Sequence, residues 1–88
     1  MPTVITRHRV GDFDTWIAGH QEREELFASA VSSFKTFQDS DDPNTVLMVM
    51  EVIDMEKMGA LVNDPANNEI KARHTVIEPI TLSMQVDV

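Results

Sequence analysis

Apolar and polar residues alternate along the start of the chain and then change period. Thr3 to Val10 reads TVITRHRV, is rich in β-branched residues and is closed by Gly11-Asp12. This predicts a strand with Val4, Thr6, His8 and Val10 on one face and Ile5, Arg7 and Arg9 on the other. From Asp12 the spacing is helical: Phe13, Trp16, Ile17, His20, Glu24 and Phe27 share one side. One amphipathic helix is expected to about Ala30, with the Asp12 carboxylate capping its open end and Asp14 in its first turn. Val31 to Gln38 predicts a second strand, and Asp39-Ser40-Asp41-Asp42-Pro43-Asn44 is a run of turn formers. Thr45 to Ile53 is the strongest strand; it begins VLMVM with little alternation, as in a strand covered on both faces. With the preceding strand it forms an expected antiparallel hairpin. Asp54 then caps a helix carrying Met55, Met58, Gly59 and Val62 on one face. Asn63-Asp64-Pro65 interrupts it and restarts a short helix to about Arg73. His74 to Pro79 reads as a connector. Ile80 to Val86 is a last strand, with Ile80, Leu82, Met84 and Val86 expected inward.

The order β-α-β-β-α-β predicts an α+β, ferredoxin-like sandwich: a four-stranded antiparallel sheet with its helices on one face, in a single domain spanning residues 1–88. One helical layer cannot cover both apolar faces of the third strand. Val46, Met48, Met50 and Val52 lie on one side, and Leu47, Val49 and Ile53 on the other. An uncovered apolar patch marks an interface, and a two-fold homodimer is its simplest cover. The alternative is a twisted monomer whose open face is shielded by Arg and Lys stems.

Charge narrows the partners. Fifteen acids against seven bases leave a net charge of −8, which disfavours nucleic acid and anionic membrane, since both require a basic footprint. No apolar run approaches the roughly 18 residues of a membrane span. Met1-Pro2-Thr3 lacks the basic start of a signal peptide, so a cytoplasmic location is expected. The absence of cysteine excludes a disulfide framework, a thiolate zinc site and a cysteine nucleophile. His8, His20 and His74, even with Glu51, match no metal-ligand spacing, and neither a GxSxG elbow nor a glycine-rich phosphate loop occurs. No metal and no cofactor are predicted.

The candidate pocket lies between sheet and helices, near the ends of the first and third strands. His8 is either a general base for a phenol or enol, or a hydrogen-bonded strut holding the strand to the helix start. Trp16, the only tryptophan, either walls an aromatic ligand or anchors the core. His20 stands where the helical stripe asks for an apolar residue, as functional residues often do, and is the second candidate catalytic base. Met48 and Met50 line an adaptable pocket or fill the core. His74, at the end of the short helix, borders the pocket or stabilises the helix C-terminus. Glu22, Glu24 and Glu25 read as a solvated helix surface.

Several of these features carry a resemblance. They are Arg7-His8-Arg9-Val10 leading to Asp12-Phe13-Asp14 and Trp16, and Asp41-Asp42-Pro43-Asn44 before an apolar strand. Glu51 with the capping Asp54, and Pro79 before the last strand, complete the pattern. Over nearly its whole length the chain resembles the dimeric α/β-barrel superfamily, close to the antibiotic-biosynthesis-monooxygenase-like and cyclase-like small proteins. The resemblance implies a homodimer with sheets face to face, and a small apolar or aromatic ligand. The activity it implies is a cofactor-independent monooxygenase or isomerase acting on aromatic or polyketide-like metabolites. The alternative is a non-catalytic binding or structural dimer. Two departures alter the pocket lining: Val52 stands where relatives often carry Trp, and His74 lies in a connector that often contains glycine.

Overall fold

Alternation in the first strand becomes alternation in burial. In β1 (Thr3–Val10), Val4, Thr6, His8 and Val10 are buried, while Ile5, Arg7 and Arg9 face outward. The computed structural model describes residues 2–88, so Met1 of the Met1-Pro2-Thr3 start lies outside them. β1 sits inside an antiparallel sheet of order β2-β3-β1-β4, built with β2 (Val31–Gln38), β3 (Thr45–Val52) and β4 (Val76–Met84). This is the ferredoxin-like α+β architecture expected from the element order. The β1–β3 register sets Val4 against Met50, Thr6 against Met48 and His8 against Val46. These buried positions form the floor on which Trp16, Phe27, Ala30 and Met58 pack.

The first helix is not continuous. It runs as α1 (Phe13–Ala18) and α2 (His20–Phe27), broken at Gly19. Only glycine fits at the break: a Cβ on Gly19 would stand 2.5 Å from His74 Nε2. The Asp12 carboxylate does not cap α1 as expected. It accepts from the Thr15 hydroxyl, and the Asp12 N–H donates to Thr75 Oγ1 at 3.1 Å. The other two caps form as read. Asp54 accepts from the Lys57 N–H at 3.0 Å to start α3 (Met55–Asn63). Asp64 accepts from the Ala66 N–H at 2.9 Å and starts a 3-10 turn (Pro65–Asn67) that leads into α4 (Asn68–Arg73). No helix among the described residues is long and apolar enough to cross a membrane.

β4 departs most from expectation. It begins at Val76, within the segment read as a connector, and ends at Met84. Its pairing with β1 slips between Arg7 and Arg9, so Glu78-Pro79-Ile80 bulge opposite His8. Of the four residues expected inward, only Ile80 is half-buried. Leu82 pairs with Thr6 and Met84 with Val4, on the helix side of the sheet, yet they are 45% and 55% exposed because the helical layer stops short of this edge strand. Val86 lies beyond the strand and is exposed. On the opposite side of the sheet no helix of the described residues packs. There Leu47 and Val49 are half-buried, and Ile5, Phe37 and Ile77 are exposed among Arg7, Arg9 and Lys35.

Candidate functional site

The β1 alternation that buries Val4 and Val10 also buries the imidazole of His8. Its Nδ1 lies 3.1 Å from the Arg9 carbonyl oxygen. A carbonyl only accepts, so Nδ1 carries the proton and Nε2 keeps its lone pair. No group among the described residues hydrogen-bonds that Nε2. The ring meets Trp16 edge-on, with centroids 5.9 Å apart. Burial, with a smaller effect from the nearby Arg23 cation, holds the His8 pKa below its ordinary 6.5. At neutral pH the residue is a neutral imidazole able to take up a proton.

Seven residues after Trp16, two turns along the broken helix, Arg23 is only 5% exposed. Its guanidinium carbon stands 3.9 Å from the Trp16 ring centroid, a cation–π stack. Nη1 donates to the Trp16 carbonyl at 2.6 Å and to His74 Nδ1 at 3.1 Å. Since His74 Nδ1 accepts, its Nε2 donates, and it does so to Glu22 Oε1 at 2.7 Å. Glu22 also takes both terminal nitrogens of Arg73, at 3.2 and 3.0 Å, and these bonds hold its carboxyl below the usual carboxylate range. Glu22, His74 and Arg23 therefore form a chain that fixes the guanidinium. Nε and Nη2 of Arg23 have no hydrogen-bond partner. Burial pushes its pKa down to about 10, still cationic at neutral pH. A buried charged group with unmade hydrogen bonds costs a few kcal/mol.

These groups border one cavity. His8, Arg23, Met48 and His74 line it, with Leu61, Val62, Ile70, Lys71 and Ile80 among the remaining walls, and its volume is about 50 Å³. A dry cavity of ~150 Å³ admits benzene, so this chamber takes a head group of a few atoms and not a ring. Val62, Lys71 and Ile80 also border a hollow of about 220 Å³ outside it. Lys71 Nζ spans the two, donating to the Val62 carbonyl at 2.6 Å and to Glu78 Oε1 at 3.1 Å. On the other side of the sheet His8 borders a second hollow of about 190 Å³, with Arg7, Arg9, Ile77 and Pro79.

The fold carrying this cavity has known counterparts. No protein-family profile matches the chain, and no curated protein sequence does. Solved structures match over its full length. A protein from Bordetella bronchiseptica assigned as an antibiotic biosynthesis monooxygenase superposes with a TM-score of 0.75 at 16% identity, covering 99% of this chain and 96% of its own. SnoaB from Streptomyces nogalater, a cofactor-independent oxygenase, superposes with a TM-score of 0.70 at 12% identity, covering 99% and 92%. The fold is that of the antibiotic-biosynthesis-monooxygenase-like proteins. At such identities the likeness is one of fold, and the side chains in the cavity are this chain's own.

Of the residues singled out in the sequence, the monooxygenase-like fold brings His8, Met48 and His74 to the cavity wall. Trp16 and Met50 do not reach it. Both are fully buried beneath that wall, and Arg23 covers the Trp16 ring. His20 is elsewhere: it pairs with Glu24 at 3.3 Å, stacks on Phe34 and lies 3.4 Å from the Thr36 hydroxyl. The three histidines do not converge, and no group of three or more potential ligands among the described residues is placed to hold a metal ion. Arg23 and Lys71 escaped sequence reasoning because charged residues on a helix read as solvated. The signal was the spacing Trp16, His20, Arg23, Phe27, which places Arg23 on the inner stripe and turns Glu24 outward. Glu22, read as solvated surface, is the half-buried partner of His74 and Arg73.

Gly19 offers a direct test of this assembly. Gly19→Ala forces a methyl against the His74 ring at 2.5 Å, and overpacking of that kind costs about 1–3 kcal/mol. A lowered unfolding midpoint is expected, together with a change in the His74 ring signals in NMR. Unchanged His74 signals would show that the ring is not held there.

Proposed function

We infer that residues 1–88 act as one ferredoxin-like domain in a cytoplasmic homodimer. The dimer binds a small aromatic or polyketide-like molecule and oxidises it without a cofactor. One observation carries this reading: a neutral, buried His8, with its Nδ1 proton tied to a backbone carbonyl, borders an apolar chamber while its Nε2 is left to accept a proton. The fold shared with a cofactor-independent oxygenase supports it. In such a reaction His8 takes a proton from a phenolic or activated methylene substrate. The resulting anion supplies the electrons that reduce dioxygen, and one CH2 group plus O2 becomes a carbonyl plus water. The protein's contribution is to position the substrate, exclude water and stabilise the anion.

The test is oxygen uptake with phenolic and hydroquinone compounds, preceded by a thermal-shift screen of the same compounds. His8→Asn is expected to lower turnover by about 10²–10⁴-fold, as loss of a general base does, while the ligand-induced thermal shift persists. Turnover in the parent protein should fall as pH drops below 6.5, because only the neutral imidazole accepts a proton and the folded pKa lies below that ordinary value. A His8→Asn protein that still turns over at the parental rate would remove the assignment. The size of the chamber supports a second reading, a binding dimer without turnover; thermal shifts with no oxygen uptake by any compound would select it.

A further inference from the structure

The cavity's charge runs against that of the chain. Fifteen acids outnumber seven bases overall, yet the cavity wall holds Arg23, Lys71, His8 and His74 and no Asp or Glu. Of the two cations, Arg23 and Lys71, the deeper one, Arg23, is fixed but unfinished. Arg23 is 95% buried, pinned through Nη1 by the Trp16 carbonyl and His74, with Nε and Nη2 unpartnered. The neighbouring carboxylate, Glu22, is already engaged by Arg73 and His74. A guanidinium presents its donors in a fixed planar fork suited to an anionic oxygen, and charge-assisted bonds of this kind are short and strong. The chamber's volume of about 50 Å³ suits an oxygen-bearing head group, and the roughly 220 Å³ hollow beside it, walled by Val62, Pro79 and Ile80 together with Asn63, Lys71 and Glu78, has room for the rest of the ligand.

We propose that Arg23 is the anion-receiving group of this cavity, and that the ligand is an apolar molecule with one anionic oxygen head (a carboxylate, enolate or phenolate) held at Arg23 beside His8. This deepens the reading of the cavity as the ligand site and rests on it. Arg23 then accepts the negative charge that proton transfer to His8 creates. Glu22 and His74 act as positioning residues, and Lys71, which borders both the chamber and the outer hollow, adds a second and weaker attraction.

Benzoate and benzamide have nearly the same shape and differ in charge, so titration calorimetry with both at pH 7 isolates the head group. Benzoate is expected to bind the parent protein at least about tenfold more tightly. Arg23→Met, which fills similar volume without charge, is expected to erase that preference, and Lys71→Met to reduce it only partly. Equal binding of the two compounds, or a preference that survives Arg23→Met or disappears in Lys71→Met alone, overturns the proposal. Should Arg23→Met fail to fold, the Arg23 Nε–H resonance of the parent protein decides: benzoate must shift it, and an unmoved signal overturns the proposal. Binding of benzamide without preference removes the anion assignment and leaves the ligand site intact. No binding of either compound while phenolic turnover persists also removes only the anion assignment. Absence of both binding and turnover removes the catalytic reading as well.

Discussion

Trp16→Ala is expected to lower stability by about 3–5 kcal/mol, the usual cost of deleting a fully buried aromatic side chain. The indole is wholly buried, packs against Phe13 at 6.0 Å and His8 at 5.9 Å, and carries Arg23 on its face. Removing it leaves a void and also strips the guanidinium of its cation–π partner. For a domain of this size each kcal/mol shifts the unfolding midpoint by roughly 4–8 °C, so a fall of roughly 12–40 °C should be seen in thermal unfolding by circular dichroism. Trp16→Phe is the informative companion. It keeps a ring beneath Arg23 and discards the indole N–H, which is buried without a hydrogen-bond partner, so its loss should be well under half that of Ala. A Trp16→Ala protein melting within a few degrees of the parent would mean that the indole is not the base on which Arg23 rests.

The parts of the molecule legible in the sequence are those whose local signal agrees with their tertiary setting. β1 and β2 lie where TVITRHRV and VSSFKTFQ put them, and β3 ends one residue early, because β-branched runs bounded by turn formers form strands in almost any context. The start of β4 was hidden because Glu78-Pro79 reads as a breaker, while in the sheet it forms a bulge that leaves Val76 and Ile77 paired with β1. The gap at Gly19 was hidden for a different reason: the ring that packs against it, His74, comes from 55 residues away, and no local pattern reports a long-range contact. The same holds for the site. His8 was visible as a polar residue on an apolar face of a strand. Arg23 was not, because its burial depends on Trp16, His74 and Glu22 arriving from three places in the chain. A rule that reads charge as solvated surface fails at the one arginine that the core has taken in.

Val49→Lys is expected to separate the proposed homodimer, weakening association by a hundredfold or more. Val49 sits mid-strand in β3, between Ile5 of β1 and Lys35 of β2 on the face that no helix covers. Four strands of about eight residues present a face of roughly 500 Å² in projection, a fair part of the ~800 Å² that each partner of a stable complex buries. In a two-fold pairing of such faces each substitution acts twice, replacing two apolar valines by lysines beside Lys35 and burying added like charge in the contact. The single chain should tolerate the change, since Val49 is only half-buried there and its strand pairing uses the backbone alone. Light scattering at micromolar concentration should find the parent at about twice the 9.9 kDa chain mass and Val49→Lys at the chain mass, with similar circular dichroism. The hollow that Arg7, His8, Arg9, Ile77 and Pro79 border opens on that same face, so a second copy lying there covers it, while the His8 imidazole stays on the helix side. Val49→Lys should therefore lose the dimer, while benzoate, held by Arg23 from the helix side, keeps most of its affinity. A parent protein already at 9.9 kDa would remove the dimer.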